Sequence, residues 1–306
     1  MALTEPAPAA TDDPDARLAA RPFALIRPAE WTAPIVFASP HSGDHYPAAF
    51  RAAARLDPVS LRRSEDAFID EIYASAPSHG APLLKALFPR AYVDPNREPW
   101  ELDPAMFEAP LPDYVNTESP RVKGGLGTVA KVVTNGEQIY RGPLDFDEVR
   151  WRIETYYVPY HAMLTKLVDE ALERFGACVL IDCHSMPSIG GPMDRDPGFH
   201  RVDMVLGDCH GASCDPVVIG MVQNALEAKA FKVTRNSPYA GGFCTHHWGR
   251  PAQGIHAVQI EINRELYMNE ARIERGAGFA DLAAKMDDVI AAITAIDPAG
   301  LKGLGA

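Results

Sequence analysis

Short apolar runs of strand length recur along this chain, each separated from the next by a stretch with helical spacing. That alternation limits the fold more than any other feature. Residues 35–39 (IVFAS), set between Pro34 and Pro40, read as a buried strand. Residues 57–76 follow an acidic start with Ile69, Ile72 and Tyr73 at helical spacing and predict a helix. Apolar residues alternate over residues 82–93, and residues 90–94 are expected to continue a strand. The clearest helix spans residues 146–175. There Ile153, Tyr156, Tyr157, Tyr160, Leu164, Leu167, Val168 and Leu172 share one face, Pro159 predicts a kink or break, and Gly176 ends the run. Further strands are expected over residues 178–182, 201–207, 231–235 and 256–262, with helices over 216–230 and 269–295.

This pattern predicts an α/β fold with a mostly parallel or mixed sheet and helices on both faces. No internal repeat is present, and 306 residues suit one large domain. The reading is a single domain over residues 23–306, preceded by a mobile arm over residues 1–22, which are rich in Ala, Pro and Asp. Residues 98–131, rich in Pro, Gly and charge, read as a long irregular insertion, a kind of segment that is usually functional or disordered.

A net charge of −12 argues against a nucleic-acid surface while leaving room for a local cationic pocket. The five cysteines have no CxxC spacing and make no disulfide framework, so reduced thiols in a cytoplasmic protein are expected. No apolar run is long enough for a membrane span, and the first residues lack the order of a signal peptide.

In open α/β sheets, sites form at the carboxyl ends of strands. Polar residues follow four of the expected strands. His41 stands in Ser39-Pro40-His41-Ser42-Gly43, and His184 in Asp182-Cys183-His184-Ser185. Imidazoles from two strands can converge on one zinc ion, with Asp182 orienting a neighbour from behind. A catalytic zinc needs a third protein ligand, for which Glu65, Asp66 and Asp44 are all candidates by position. Arg97, in Asp94-Pro95-Asn96-Arg97 and with Arg90 close by, could grip a carboxylate through its planar fork. Glu261 alternates with Val258, Ile260 and Ile262, so it shares the opposite face with Gln259 and Asn263 and could act as a general base. In the pairs Cys209-His210 and His246-His247, at most one member of each is expected to be functional.

Several segments, taken together, resemble the N-formylglutamate amidohydrolases. They are Ser39 to Gly43, Glu65-Asp66, Arg90 through Arg97, Asp182 to Ser185, Gly211 to Pro216, Gly241 to His247, and Gly254 to Glu261, in the family's order. The resemblance implies a phosphorylase/hydrolase-like three-layer sandwich related to the zinc carboxypeptidases and aspartoacylases. It implies one zinc ion per chain on His41, Asp66 and His184, since Asp66 matches the family's acidic position better than Glu65 or Asp44. Glu261 matches the general base, and Arg90, Asn96 and Arg97 match substrate-carboxylate positions. His247 matches a histidine expected to line the pocket.

The implied reaction is hydrolysis of N-formyl-L-glutamate, a small N-acyl amino acid, with histidine degradation as the setting the family name suggests. Two alternatives stand beside it: a deacylase or small peptidase acting on another N-acyl amino acid, and a non-catalytic binding protein of the same fold. Asn263-Arg264 and residues 98–131 depart from the family pattern and could reshape the pocket.

Overall fold

The computed structural model describes residues 12–192 and 194–301. Seven strands, β1 (Phe23–Ile26), β2 (Ile35–Ser39), β3 (Leu83–Ala86), β4 (Cys178–Met186), β5 (Met204–Gly207), β6 (Val233–Arg235) and β7 (Ile255–Asn263), form one mixed sheet. Their order is β1-β3-β2-β4-β7-β5-β6. The central strands β3, β2, β4 and β7 run parallel; β1 is an antiparallel edge, and β5 runs antiparallel to β7 with β6 parallel beside it.

Helix Val158–Phe175 packs Leu164, Leu167 and Val168 over one face, against Val36, Ala38, Leu180 and Ala257. Helices Pro216–Glu227 and Phe279–Thr294 cover the other, against Ile35, Phe37, Ile181, Val258 and Ile260. This is the three-layer α/β sandwich expected from the alternation. Strands covered on both faces need apolar side chains throughout. The polar residues Asp182, His184, Gln259 and Glu261 break that rule inside β4 and β7, all of them buried.

Several elements differ from their sequence reading. The helix expected over residues 57–76 is two single turns, Pro58–Leu61 and Ile69–Ile72, with a tight turn at Arg62–Ser64. Between them Glu65 is extended and Phe68 is left-handed (φ 67°), because the backbone N–H of Asp66 donates to the His41 carbonyl at 3.0 Å and pulls the chain to the end of β2. Residues 90–94 turn back on the Pro89 carbonyl instead of extending β3. Strand β4 runs on to Met186, so Asp182 and His184 lie within it, not after it. The break at Pro159, which has no N–H to donate, takes the form of one wide turn at Ile153–Tyr157 between two α-helical stretches. The last helix starts at Phe279; a short hairpin, Met268–Asn269 with Glu274–Arg275, fills the stretch before it.

Of the arm expected over residues 1–22, residues 1–11 lie outside the described residues. Pro14–Ala20 is a helix, with Leu18 buried against the core and the Asp15 carboxylate accepting from the Ala48 N–H. Residues 98–131 are anchored: Thr128 donates to the Glu98 carbonyl through its hydroxyl and to the Glu101 carbonyl through its N–H, and the Asp94 N–H donates to Thr128. Among the described residues no helix is long and apolar enough to cross a membrane.

Candidate metal centre and active site

The site forms where β2, β4 and β7 end. Register pairs His184 with Glu261 and Asp182 with Gln259, and places Ala38 beside Asp182. By alternation these four polar side chains take the same face as Leu180 and Ala257. His41 follows β2 by two residues, in a backbone that passes tightly under its neighbour. A Cβ on Gly43 would sit 2.2 Å from the Phe88 carbonyl oxygen, so this position of the Ser-Pro-His-Ser-Gly segment requires glycine.

His41, Asp66 and His184 bring one nitrogen, one oxygen and one nitrogen within 4.8 Å of one another, and all three residues are 1–2% exposed. Asp66 Oδ2 lies 3.3 Å from His41 Nδ1 and 3.0 Å from His184 Nδ1. Each side chain is braced from behind. His41 Nε2 bonds Asp94 Oδ1 at 2.7 Å. His184 Nε2 lies 2.9 Å from Asp182 Oδ1, close though poorly aligned for a hydrogen bond. Asp66 Oδ1 accepts from Arg264 Nη2 and Ser185 Oγ, both at 3.0 Å.

An ionised carboxylate can only accept, so it holds the proton on Nε2 and turns the Nδ1 lone pair toward the centre. The Asn96 amide, 3.0 Å from His184 Nε2 and 3.4 Å from Asp182 Oδ2, then has Asp182 as its acceptor. Burial works against the Asp66 carboxylate, yet His184 and His41 outweigh it and hold its pKa well below the ordinary range. Burial likewise works against charge on His184, and Asp182 and Asp66 reverse it, raising its pKa. Two imidazoles and a carboxylate, convergent, dry and oriented by outer carboxylates, form a donor set that fits zinc.

Glu261 is also buried. Burial pushes its pKa up to about 7, opposed by His184 and reinforced by Asp66. Its Oε1 accepts from Gln259 Nε2 at 2.7 Å, and Gln259 Oε1 in turn accepts from the Gly242 N–H at 2.7 Å. Asn96 Oδ1 accepts from the Cys244 N–H at 2.7 Å. The Gly-Gly segment is thus tied both to the candidate base and to the residues behind His184. A Cβ on Gly242 would fall 2.4 Å from the Asn96 amide nitrogen.

A cavity of about 650 Å³ opens over this cluster, lined by His41, Asp66, His184, Glu261, Arg90, Asn96 and Arg97 among others. Arg90 gives one nitrogen to Asp94 at 2.8 Å. Arg97 is largely occupied: Nε donates to the Leu126 carbonyl and Nη1 to the Asn96 carbonyl, both at 2.7 Å. Burial depresses its pKa to about 10.

Two rivals for the third metal position lie elsewhere. Glu65 is bound by Arg62 at 2.7 and 2.9 Å and by the Tyr46 hydroxyl, and Asp44 is exposed.

His247 does not reach the cavity. It sits on the outer side of helix Phe243–Trp248, exposed and stacked on Phe243 at 4.9 Å. Each helical residue turns ~100° from the last. With Thr245 turned inward to Asp182 (3.3 Å), His247 faces away.

No local signal marks Ser185 and Arg264 as the holders of Asp66, or Arg121, Arg195 and Tyr239 as cavity residues; of the pair Cys209-His210, it is His210 that lines the cavity. Only alternation in β7, which grouped Gln259 with Glu261, carried such a signal. The cysteines are unpaired, and burial pushes the Cys178 and Cys214 thiols up to about 12, which makes them unreactive.

The family model for N-formylglutamate amidohydrolase matches residues 33–268. A Pseudomonas putida protein named N-formylglutamate deformylase is 31% identical over 243 residues, covering 78% of this chain and 82% of that one. A Pseudomonas aeruginosa protein of the same name is 28% identical over 243 residues, covering 78% and 83%. The crystal structure of an N-formylglutamate amidohydrolase from Ralstonia eutropha JMP134 superposes with a TM-score of 0.83 at 38% identity, covering 91% of this chain and 99% of that one.

Proposed function

The chain belongs to the N-formylglutamate amidohydrolase family, and from that premise we propose that it hydrolyses N-formyl-L-glutamate to formate and L-glutamate, with one zinc ion held by His41, Asp66 and His184. The observation that carries this reading is the pairing of His184 with Glu261 across β4 and β7. It sets a buried carboxylate with a pKa near neutrality beside a convergent ligand trio.

A zinc ion bound there supplies Lewis acidity, polarising the amide carbonyl and making a water easier to deprotonate. The rest of the reaction falls to the chain's own residues. Glu261 takes a proton from the water as its oxygen adds to the formyl carbon. Gln259 holds one oxygen of that carboxylate and leaves the other for the proton. The C–N bond then breaks, and Glu261 returns the proton to the departing amine. Asp94 and Asp182 keep the imidazoles oriented throughout. Arg90, whose guanidinium is only partly used by Asp94, and Arg97 hold substrate carboxylate, which orients the amide over the base.

A panel of N-formyl-, N-acetyl- and N-succinyl-L-glutamate tests the substrate. The expected order places N-formyl-L-glutamate first in kcat/KM by at least tenfold, a difference of about 1.4 kcal/mol in transition-state binding. Faster turnover of either larger acyl group would move the function to a different deacylase.

A further inference from the structure

Five arginines line the cavity, and three of them spend at least part of their donors on the protein itself. Arg264 spends its donors on Ser185, the Arg63 carbonyl and Asp66. Arg97 is held by two backbone carbonyls, and Arg90 shares Asp94. Arg121 and Arg195 differ: both are exposed, and neither guanidinium has a hydrogen bond or ion pair with any described residue.

An exposed arginine is ordinarily a solvated surface charge, but these two have a particular setting. Arg121 sits in the short helix Pro120–Lys123 of residues 98–131, a segment fastened to the site where Arg97 Nε donates to the Leu126 carbonyl. Arg195 lies in the loop after β4. Its own neighbours Asp194 and Asp196 are taken by Arg201 at 2.7 Å each, and the Gly191 N–H also donates to Asp194. The acids nearest Arg195 in sequence are therefore spoken for. Arg121 also faces positive charge: it is close enough to Arg97 to add to the burial that lowers the pKa of that group. Two cations on anchored loops, open to a cavity and lacking an anion, leave a charge that a ligand can complete.

We propose that Arg121 and Arg195 form an outer clamp for a second carboxylate, so that the cavity selects dianionic N-acyl acidic amino acids over their monoanionic counterparts. This rests on the function proposed above for the substrate's first carboxylate and its amide. The outer clamp takes the side-chain carboxylate, while Arg90 and Arg97 take the inner one. A cavity of about 650 Å³ has room for both ends of such a molecule.

The test compares the parent protein with Arg121→Ala, Arg195→Ala and the double variant, using two isosteric pairs that differ by one charge. Calorimetry reads binding of glutarate against glutaramate and needs no turnover; kcat/KM is read for N-formyl-L-glutamate against N-formyl-L-glutamine. The parent is expected to favour the dianion by about a hundredfold, and each single variant to cut that ratio about tenfold, mainly through KM. The double variant should bring it near one, and Arg195→Lys should keep part of it. A ratio unchanged in the double variant, or no dianion preference in the parent, overturns the clamp. The two readings separate cleanly. A parent that hydrolyses N-formyl-L-glutamate with a ratio indifferent to both arginines keeps the function and loses the clamp. A parent without turnover, whose glutarate preference vanishes in the double variant, does the reverse.

Discussion

Replacing Glu261 by Gln removes a buried negative charge while keeping the side chain's size and an oxygen to accept from Gln259. In the metal-free protein Glu261 has a pKa of about 7 against an ordinary 4.5, mainly through burial. The folded state therefore binds the proton more tightly than the unfolded chain. Stability from this group is full below pH 4.5 and is lost as pH rises through 7. At ~1.4 kcal/mol per pH unit, the ionised carboxylate destabilises the folded protein by roughly 3 kcal/mol at pH 8.

Glu261→Gln should accordingly stabilise the chelator-treated protein at pH 8 by up to that amount, on the order of 5–10 °C in Tm, and change it little at pH 4.5. A bound cation favours the carboxylate, so zinc should shrink the gain. Turnover of the zinc-loaded variant should fall by about 10²–10⁴-fold. Denaturation at the two pH values, with and without chelator, reads the first effect, and initial rates read the second. An equal gain at both pH values, or none at pH 8, would refute the claim that the site disfavours this charge. Near-normal turnover would remove Glu261 from the proton transfer.

Asp94→Asn and Asp182→Asn each leave the three ligands in place and weaken the carboxylate behind an imidazole. Competition against a chelator should give about 10–100-fold weaker zinc binding for each. Gly242→Ala puts a Cβ 2.4 Å from the Asn96 amide, so kcat should fall at least tenfold, about 1.4 kcal/mol in barrier, in a protein that still folds by circular dichroism. His247→Ala, on the outer side of its helix, should leave kcat/KM within about twofold, a difference under 1 kcal/mol; a larger loss would return His247 to the pocket.

The sandwich was legible because central strands must be apolar on both faces, which gave residues 35–39, 178–182 and 256–262 clear signatures. The same logic exposed part of the site. Glu261 is conspicuous because charge within such a strand needs a partner, alternation alone put Gln259 beside it, and His184 stands out as a histidine expected just past a strand's end. What stayed hidden depends on contacts far apart in the chain. Asp66 is fixed by Arg264, almost two hundred residues away, and by a backbone bond to His41 that breaks an otherwise plausible helix. Local spacing could not exclude Glu65, since the answer lies in where Arg62 and Tyr46 reach. His247 was placed by the resemblance alone, and nothing in local spacing shows that residues 243–248 coil into a helix that turns this ring away from the cavity.

The central claim is that His41, Asp66 and His184 hold a zinc ion that Glu261 needs in order to cleave a formamide. The most direct measurement is amine release from N-formyl-L-glutamate by the purified protein, before chelation, after it, and after zinc is restored. Turnover is expected to disappear with the metal and to return with zinc. Undiminished turnover by the metal-free protein, or none from a folded protein with one zinc bound per chain, would contradict that claim.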